Sequence, residues 1–121
     1  MLFPDGVFSE ENLERKLRGS FPGATQAEAR EILGELDRMP IGDANEDASG
    51  GLRRRAKFDA IRLGNGDTDA LRAAVREGMH DYRDLEMLAE APHFRGFSTE
   101  GAAFAEVNRR DLEEFIAWLQ E

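Results

Sequence analysis

A chain of 121 residues, 40% of them hydrophobic, is long enough to bury one core and too apolar to stay disordered. Sixteen Lys+Arg against 25 Asp+Glu give a formal net charge of -9, a field that repels nucleic-acid phosphates and anionic lipid. Cysteine is absent, which excludes disulfides, thiolate metal sites and a cysteine nucleophile.

No apolar run approaches the ~20 residues that span a bilayer. Met1-Leu2-Phe3-Pro4-Asp5-Gly6 has neither the basic start nor the apolar stretch of a signal peptide. The expectation is a cytoplasmic protein with no membrane partner.

Taken in chain order, the pattern is helical nearly throughout. Strand alternation is confined to Leu2-Phe3 and Val7-Phe8 around Pro4-Asp5-Gly6, the pattern of a tiny hairpin. Ser9 caps a first helix that opens with Glu10-Glu11, where the helix dipole favours acids, and Phe8 and Leu13 have the spacing of a hydrophobic staple. This helix carries Leu13 and Leu17 and stops near Gly19. Thr25-Gln26-Ala27-Glu28 reads as a capping box for a second helix, with Ala29, Ile32, Leu33, Leu36 and Met39 at helical spacing up to Pro40. Residues 40–51 have almost no bulky apolar group and read as a mobile loop.

Leu52 to Leu63 predicts a third helix, closed by Gly64-Asn65-Gly66, with Asp67 capping a fourth that buries Leu71, Ala74, Val75, Gly78 and Met79. Asp81 begins a fifth, with Asp84 at its N3 position and Tyr82, Leu85, Leu88 and Ala89 as the apolar side, ended by Pro92. After a loop, Ser98 or Thr99 starts an alanine-rich helix around Ala102 to Glu106. Asn108 then reads as the cap of a last helix with Asp111 at N3 and Leu112, Phe115, Ile116 and Leu119 on its face, and the pattern leaves open whether these last two helices are one. The prediction is all-α: a single compact domain, 1–121, of five to seven short helices.

Two segments imitate calcium loops. Asp43, Asn45 and Asp47 have the spacing of the first three ligands, but Ala48 and Arg54 stand where such a loop needs Gly and a bidentate Glu; Asn65, Asp67 and Asp69 fail at Ala70 and Arg76. His80 and His93 are far apart, with no His-x-x-x-His or Glu-x-x-His pairing, so the spacing points to no metal and no cofactor. A lone helix-end or loop histidine is more often structural than catalytic. The chain lacks a phosphate-binding glycine loop and a Gly-x-Ser-x-Gly elbow. Asp81-Tyr82-Arg83-Asp84 reads as a helix start rather than a catalytic cluster.

The basic cluster is Arg53-Arg54-Arg55-Ala56-Lys57. Between Gly51 and Arg62, five Lys/Arg face Asp59 alone, a local +4. As a functional feature, it would dock an acidic partner, a phosphate or RNA. As a structural one, it lies against the acidic first two helices or forms a solvated face, and the interleaved aromatics of a base-stacking surface are missing. Phe94 and Phe97 flank Arg95 in a loop, where exposed aromatics would mark a partner surface and buried ones would plug the core.

Arg55-Ala56-Lys57-Phe58-Asp59-Ala60-Ile61-Arg62-Leu63, Gly66-Asp67, Leu71-x-x-Ala74-Val75 and Asp81-Tyr82-Arg83-Asp84-Leu85-x-x-x-Ala89 together resemble a pattern recurrent in small uncharacterised bacterial proteins. In that pattern, a basic-to-apolar helix ends in a Gly-Asp or Gly-Asn turn, and an Asp-Tyr/Trp-Arg-Asp step starts a third helix. The resemblance lies within residues 53–91 and implies a bacterial helical module; it carries no activity and no site residues. The functional expectation is an adaptor or regulatory module that binds another protein without catalysis, with Arg53, Arg54, Arg55, Phe94 and Phe97 as candidate partner-binding residues. A homo-oligomer is compatible with it. The alternatives are a nucleic-acid-associated regulator using the arginines and an enzyme whose site is assembled from dispersed residues.

Overall fold

A computed structural model describes residue 3 and residues 6–41, 51–93 and 102–121, with 102–104 as backbone only. In chain order the helices are α1 (Glu10–Ser20), α2 (Thr25–Gly34), which runs into a 3-10 turn (Glu35–Arg38), α3 (Gly51–Gly64), α4 (Thr68–His80), α5 (Tyr82–Glu90) and α6 (Ala102–Gln120). The described residues contain no strand. The expected all-α fold is what forms. Gly6–Phe8 make a turn; Leu2, Pro4 and Asp5 of the expected hairpin lie outside the described residues.

Helix α3 is central because it offers apolar or small groups on most of its circumference. Ala56, Phe58, Ala60 and Ile61 are all buried, and α1, α4, α5 and the 3-10 turn pack around them. Two sides of this core are aromatic: Phe8 meets Phe58 edge-on at 5.4 Å, and Phe3 meets Phe115 at 5.8 Å. Helix α4 approaches α3 closely because Gly64 has no side chain; a Cβ there would stand 3.1 Å from Leu71 Cβ and 3.2 Å from Phe21 Cζ.

Three of the expected caps form. Ser9 Oγ accepts from Asn12 N at 3.1 Å, Asp67 from Asp69 N at 2.9 Å and Asp81 from Arg83 N at 2.9 Å. The turn before α4 places Asn65 and Gly66 at φ 46 and 86, left-handed values suited to these two residue types. Asp67 thus serves as a helix cap.

Two expected caps do not form. Ala24 already has helical backbone angles, so Thr25 lies inside α2; its hydroxyl donates to Pro22 O at 3.0 Å, and Glu28 pairs with Arg72 of α4 instead of closing a box. Asn108 lies within one continuous α6. No Gly or Pro interrupts Ala102 to Gln120, and Arg109 bridges Glu106 one turn back and Glu113 one turn ahead, so the helix runs through. Asp111 is therefore not at a helix start. It is 2% exposed, on the face of α6 that turns inward.

Candidate functional site

The arginine cluster opens α3, and each side chain meets a different part of the chain. Arg53 donates to Met39 O through Nε and Nη2, at 3.1 and 2.9 Å, closing the end of the 3-10 turn. Arg54 donates to Phe8 O at 2.6 Å and pairs with Glu10 at 3.3 Å, and Lys57 pairs with Asp37 at 2.7 Å. Arg55 crosses to α5, where it pairs with Glu90 and, at 3.1 Å, with Glu86. Its guanidinium lies 4.9 Å from the ring centre of Phe3 and 5.2 Å from that of Phe8. These arginines therefore bind carbonyls, carboxylates and rings of their own chain. Phe94 and Phe97, and the 42–50 part of the expected loop, lie outside the described residues.

Behind Arg55, one helical turn further along α3, Asp59 is 1% exposed. Burial pushes its carboxyl well above the usual range, and Glu90, whose charge and hydrogen bond face it, pushes the same way; Arg55 opposes more weakly. The Glu90 oxygens that face Asp59 also accept from Arg55 Nε at 2.9 Å and from Nη2. Among the described residues, Asp59 Oδ1 has no hydrogen-bond partner. Burial raises Glu86 as well, and Arg55 lowers it only in part. Burial works against the charge on Arg55, but the hydrogen bond and charge of Glu90 outweigh it and hold the guanidinium above its ordinary value.

Arg55 and Glu90 also line a cavity of about 260 Å³ between the end of α5 and α6, with Phe3, Asn108, Asp111 and Phe115 around it. On this side Asp111 Oδ1 accepts from the backbone N–H of His93 at 3.1 Å, and His93 Nε2 lies 3.1 Å from Glu114 Oε2. His93, Asp111 and Glu114 thereby bring one ligand atom each within 4.8 Å of one another. Sequence spacing hid this convergence. His93 comes from a turn and the two acids from the interior of a helix, where the sequence places Asp111 at N3 of a helix start. The available signal was the Asp-x-x-Glu spacing, which puts two carboxylates on one helix face.

Other polar groups support the helices. Asp81 pairs with the guanidinium of Arg83 as well as capping α5, and Arg83 holds its carboxyl below the usual range. A second groove, about 320 Å³, runs between α1 and α2 over Leu13, Leu17 and Leu33, with Glu10, Glu14, Arg30 and Asp37 at its rim. Arg30 holds Glu14 down at about 2. Elsewhere on α1, Lys16 lies 4.2 Å from the ring centre of Trp118 and donates to its carbonyl, and Arg15 donates to the carbonyls of Leu119 and Glu121. No helix among the described residues is long and apolar enough to cross a membrane. Comparison with protein-family models, with curated protein sequences and with solved structures gives no match in any of the three.

Proposed function

We propose that this protein is a helical binding module of bacterial type whose partner is a basic protein surface, and that it acts without catalysing a reaction. The observation that supports this reading is the inward use of its basic segment. Arg53, Arg54, Arg55 and Lys57 hold helices together, while Glu11, Glu31 and Glu35 stand exposed around α1, α2 and the 3-10 turn. With those cations engaged at helix contacts and the chain at -9 overall, the field that a partner meets is negative.

The test is capture from a native-host lysate, followed by binding of the purified partner to the wild type and to a variant carrying Glu11→Lys, Glu31→Lys and Glu35→Lys. A basic protein partner whose affinity falls at least tenfold in the variant, and falls with added salt, is the expected result. Capture of RNA, or a partner indifferent to the three substitutions, would reject the reading.

The carboxyl pair of Asp59 and Glu90 beside a cavity favours one second reading, an enzyme whose site is assembled from dispersed residues. A group with a raised pKa at a cavity is the usual form of a general acid. Asp59 itself lines no part of that cavity, which is why the binding module is preferred.

A further inference from the structure

We propose that His93, Asp111 and Glu114 form a binding site for a divalent transition-metal ion of the zinc type, at the junction of α5 and α6. This inference is independent of the protein-binding reading. It rests first on spacing. His93 Nε2 and Glu114 Oε2 are 3.1 Å apart, close to the roughly 3.3 Å edge of a tetrahedron with bonds of about 2.0 Å. The Asp111 carboxylate joins them within 4.8 Å.

It rests also on preorganisation. Asp111 and Glu114 are held by α6 at i and i+3, and the His93 backbone N–H bonds to Asp111 Oδ1, so the histidine is tied to the helix that supplies the other two ligands. Arg110 holds Glu114 through Oε1 at 3.0 Å, which fixes the carboxylate while Oε2 faces His93. Such partners orient metal-bound carboxylates.

The donor set selects the ion. One imidazole and two carboxylates suit zinc, manganese, iron(II), cobalt or nickel, whereas calcium and magnesium take oxygen alone. Three protein ligands leave at least one position for water or for a group from a partner. Arg62, whose guanidinium lies near the Glu114 carbonyl, and Arg110 place positive charge beside the site, so micromolar rather than picomolar affinity is expected.

The experiment uses the full chain, stripped with a chelator and titrated with zinc alone and cobalt alone. Trp118, the single tryptophan, follows Glu114 by one helical turn, and its fluorescence reports quenching by cobalt. His93→Ala and Glu114→Gln alter partly exposed side chains, so folded variants are expected, and His80→Ala serves as the control histidine. The wild type and His80→Ala should bind one equivalent and melt several degrees higher with zinc. His93→Ala and Glu114→Gln should each bind at least tenfold more weakly. No saturable binding below millimolar metal, or wild-type affinity in both site variants, would overturn the proposal. If His93→Ala does not fold, loss of binding in Glu114→Gln decides the matter.

Discussion

Asp59 is 1% exposed, a position where a lone carboxylate would be costly, with Arg55, Glu86 and Glu90 as its charged neighbours. Burial and the neighbouring Glu90, which shares a hydrogen bond with it, raise its carboxyl well above the usual range, which favours the neutral form. The consequence for stability has a definite sign. A carboxyl whose folded pKa is raised contributes fully below the unfolded value, about 3.9, and loses that contribution as pH rises toward the folded value. Asp59→Asn removes the titration while keeping the shape. The variant should therefore gain in melting temperature relative to wild type as pH rises from about 4 to 7, by several degrees, since a tenfold change in proton affinity is worth about 1.4 kcal/mol. Thermal melts across that range, with Glu86 unchanged in both proteins, provide the check; a constant difference between the two would refute the assignment.

At the scale of elements, glycine shows how the same residue type carries opposite roles. Gly34 ends α2 with helical angles and open space around the position of a Cβ. Gly34→Ala should stabilise by about 0.5–1 kcal/mol through helix propensity. Gly78 is the reverse. A Cβ there would stand 2.7 Å from Leu85 Cδ2 and 3.2 Å from Leu36 Cδ2, both in fully buried side chains, so these leucines would have to shift within a filled core. Gly78→Ala should cost about 1–2 kcal/mol net, overpacking outweighing the gain in propensity. Denaturant unfolding of the two variants compares them directly; stabilisation by both would mean that the core gives way more easily than its packing implies.

Across the whole molecule, the arginine cluster ties the start of α3 to the 3-10 turn, to the turn before α1 and to α5. Replacing Arg53, Arg54 and Arg55 together by Ala is thus expected to act on folding first. Removing Arg55 alone leaves Glu86 and Glu90 facing Asp59 with no counter-charge, a loss of about 2–4 kcal/mol for a largely buried pair. Labelled single- and double-stranded oligonucleotides should show no binding to the wild type at about 150 mM salt. Binding at very low salt should be weak and should fall with a slope near 0.9 per phosphate contact. Micromolar binding at physiological salt, abolished in a variant that remains folded, would restore the nucleic-acid alternative.

Sequence by itself determined the helical class, the caps at Ser9, Asp67 and Asp81, and most of the buried faces, Leu71, Ala74, Val75 and Gly78 among them. These depend on neighbours within one or two turns, where spacing and backbone hydrogen bonding are enough. Thr25 and Asn108 look like caps by the same local rule and are not, because the backbone before Thr25 is already helical and nothing breaks the helix at Asn108. Tertiary structure alone decided where the charges go. Arg55 finds Glu90 at a distance of 35 residues, and His93 finds Glu114 at 21. A side chain's partner across helices is set by packing angles and by which face turns inward; being the lone acid among basic residues does not tell that Asp59 is buried against Glu90, nor does Asp-x-x-Glu spacing tell that Asp111 turns toward His93.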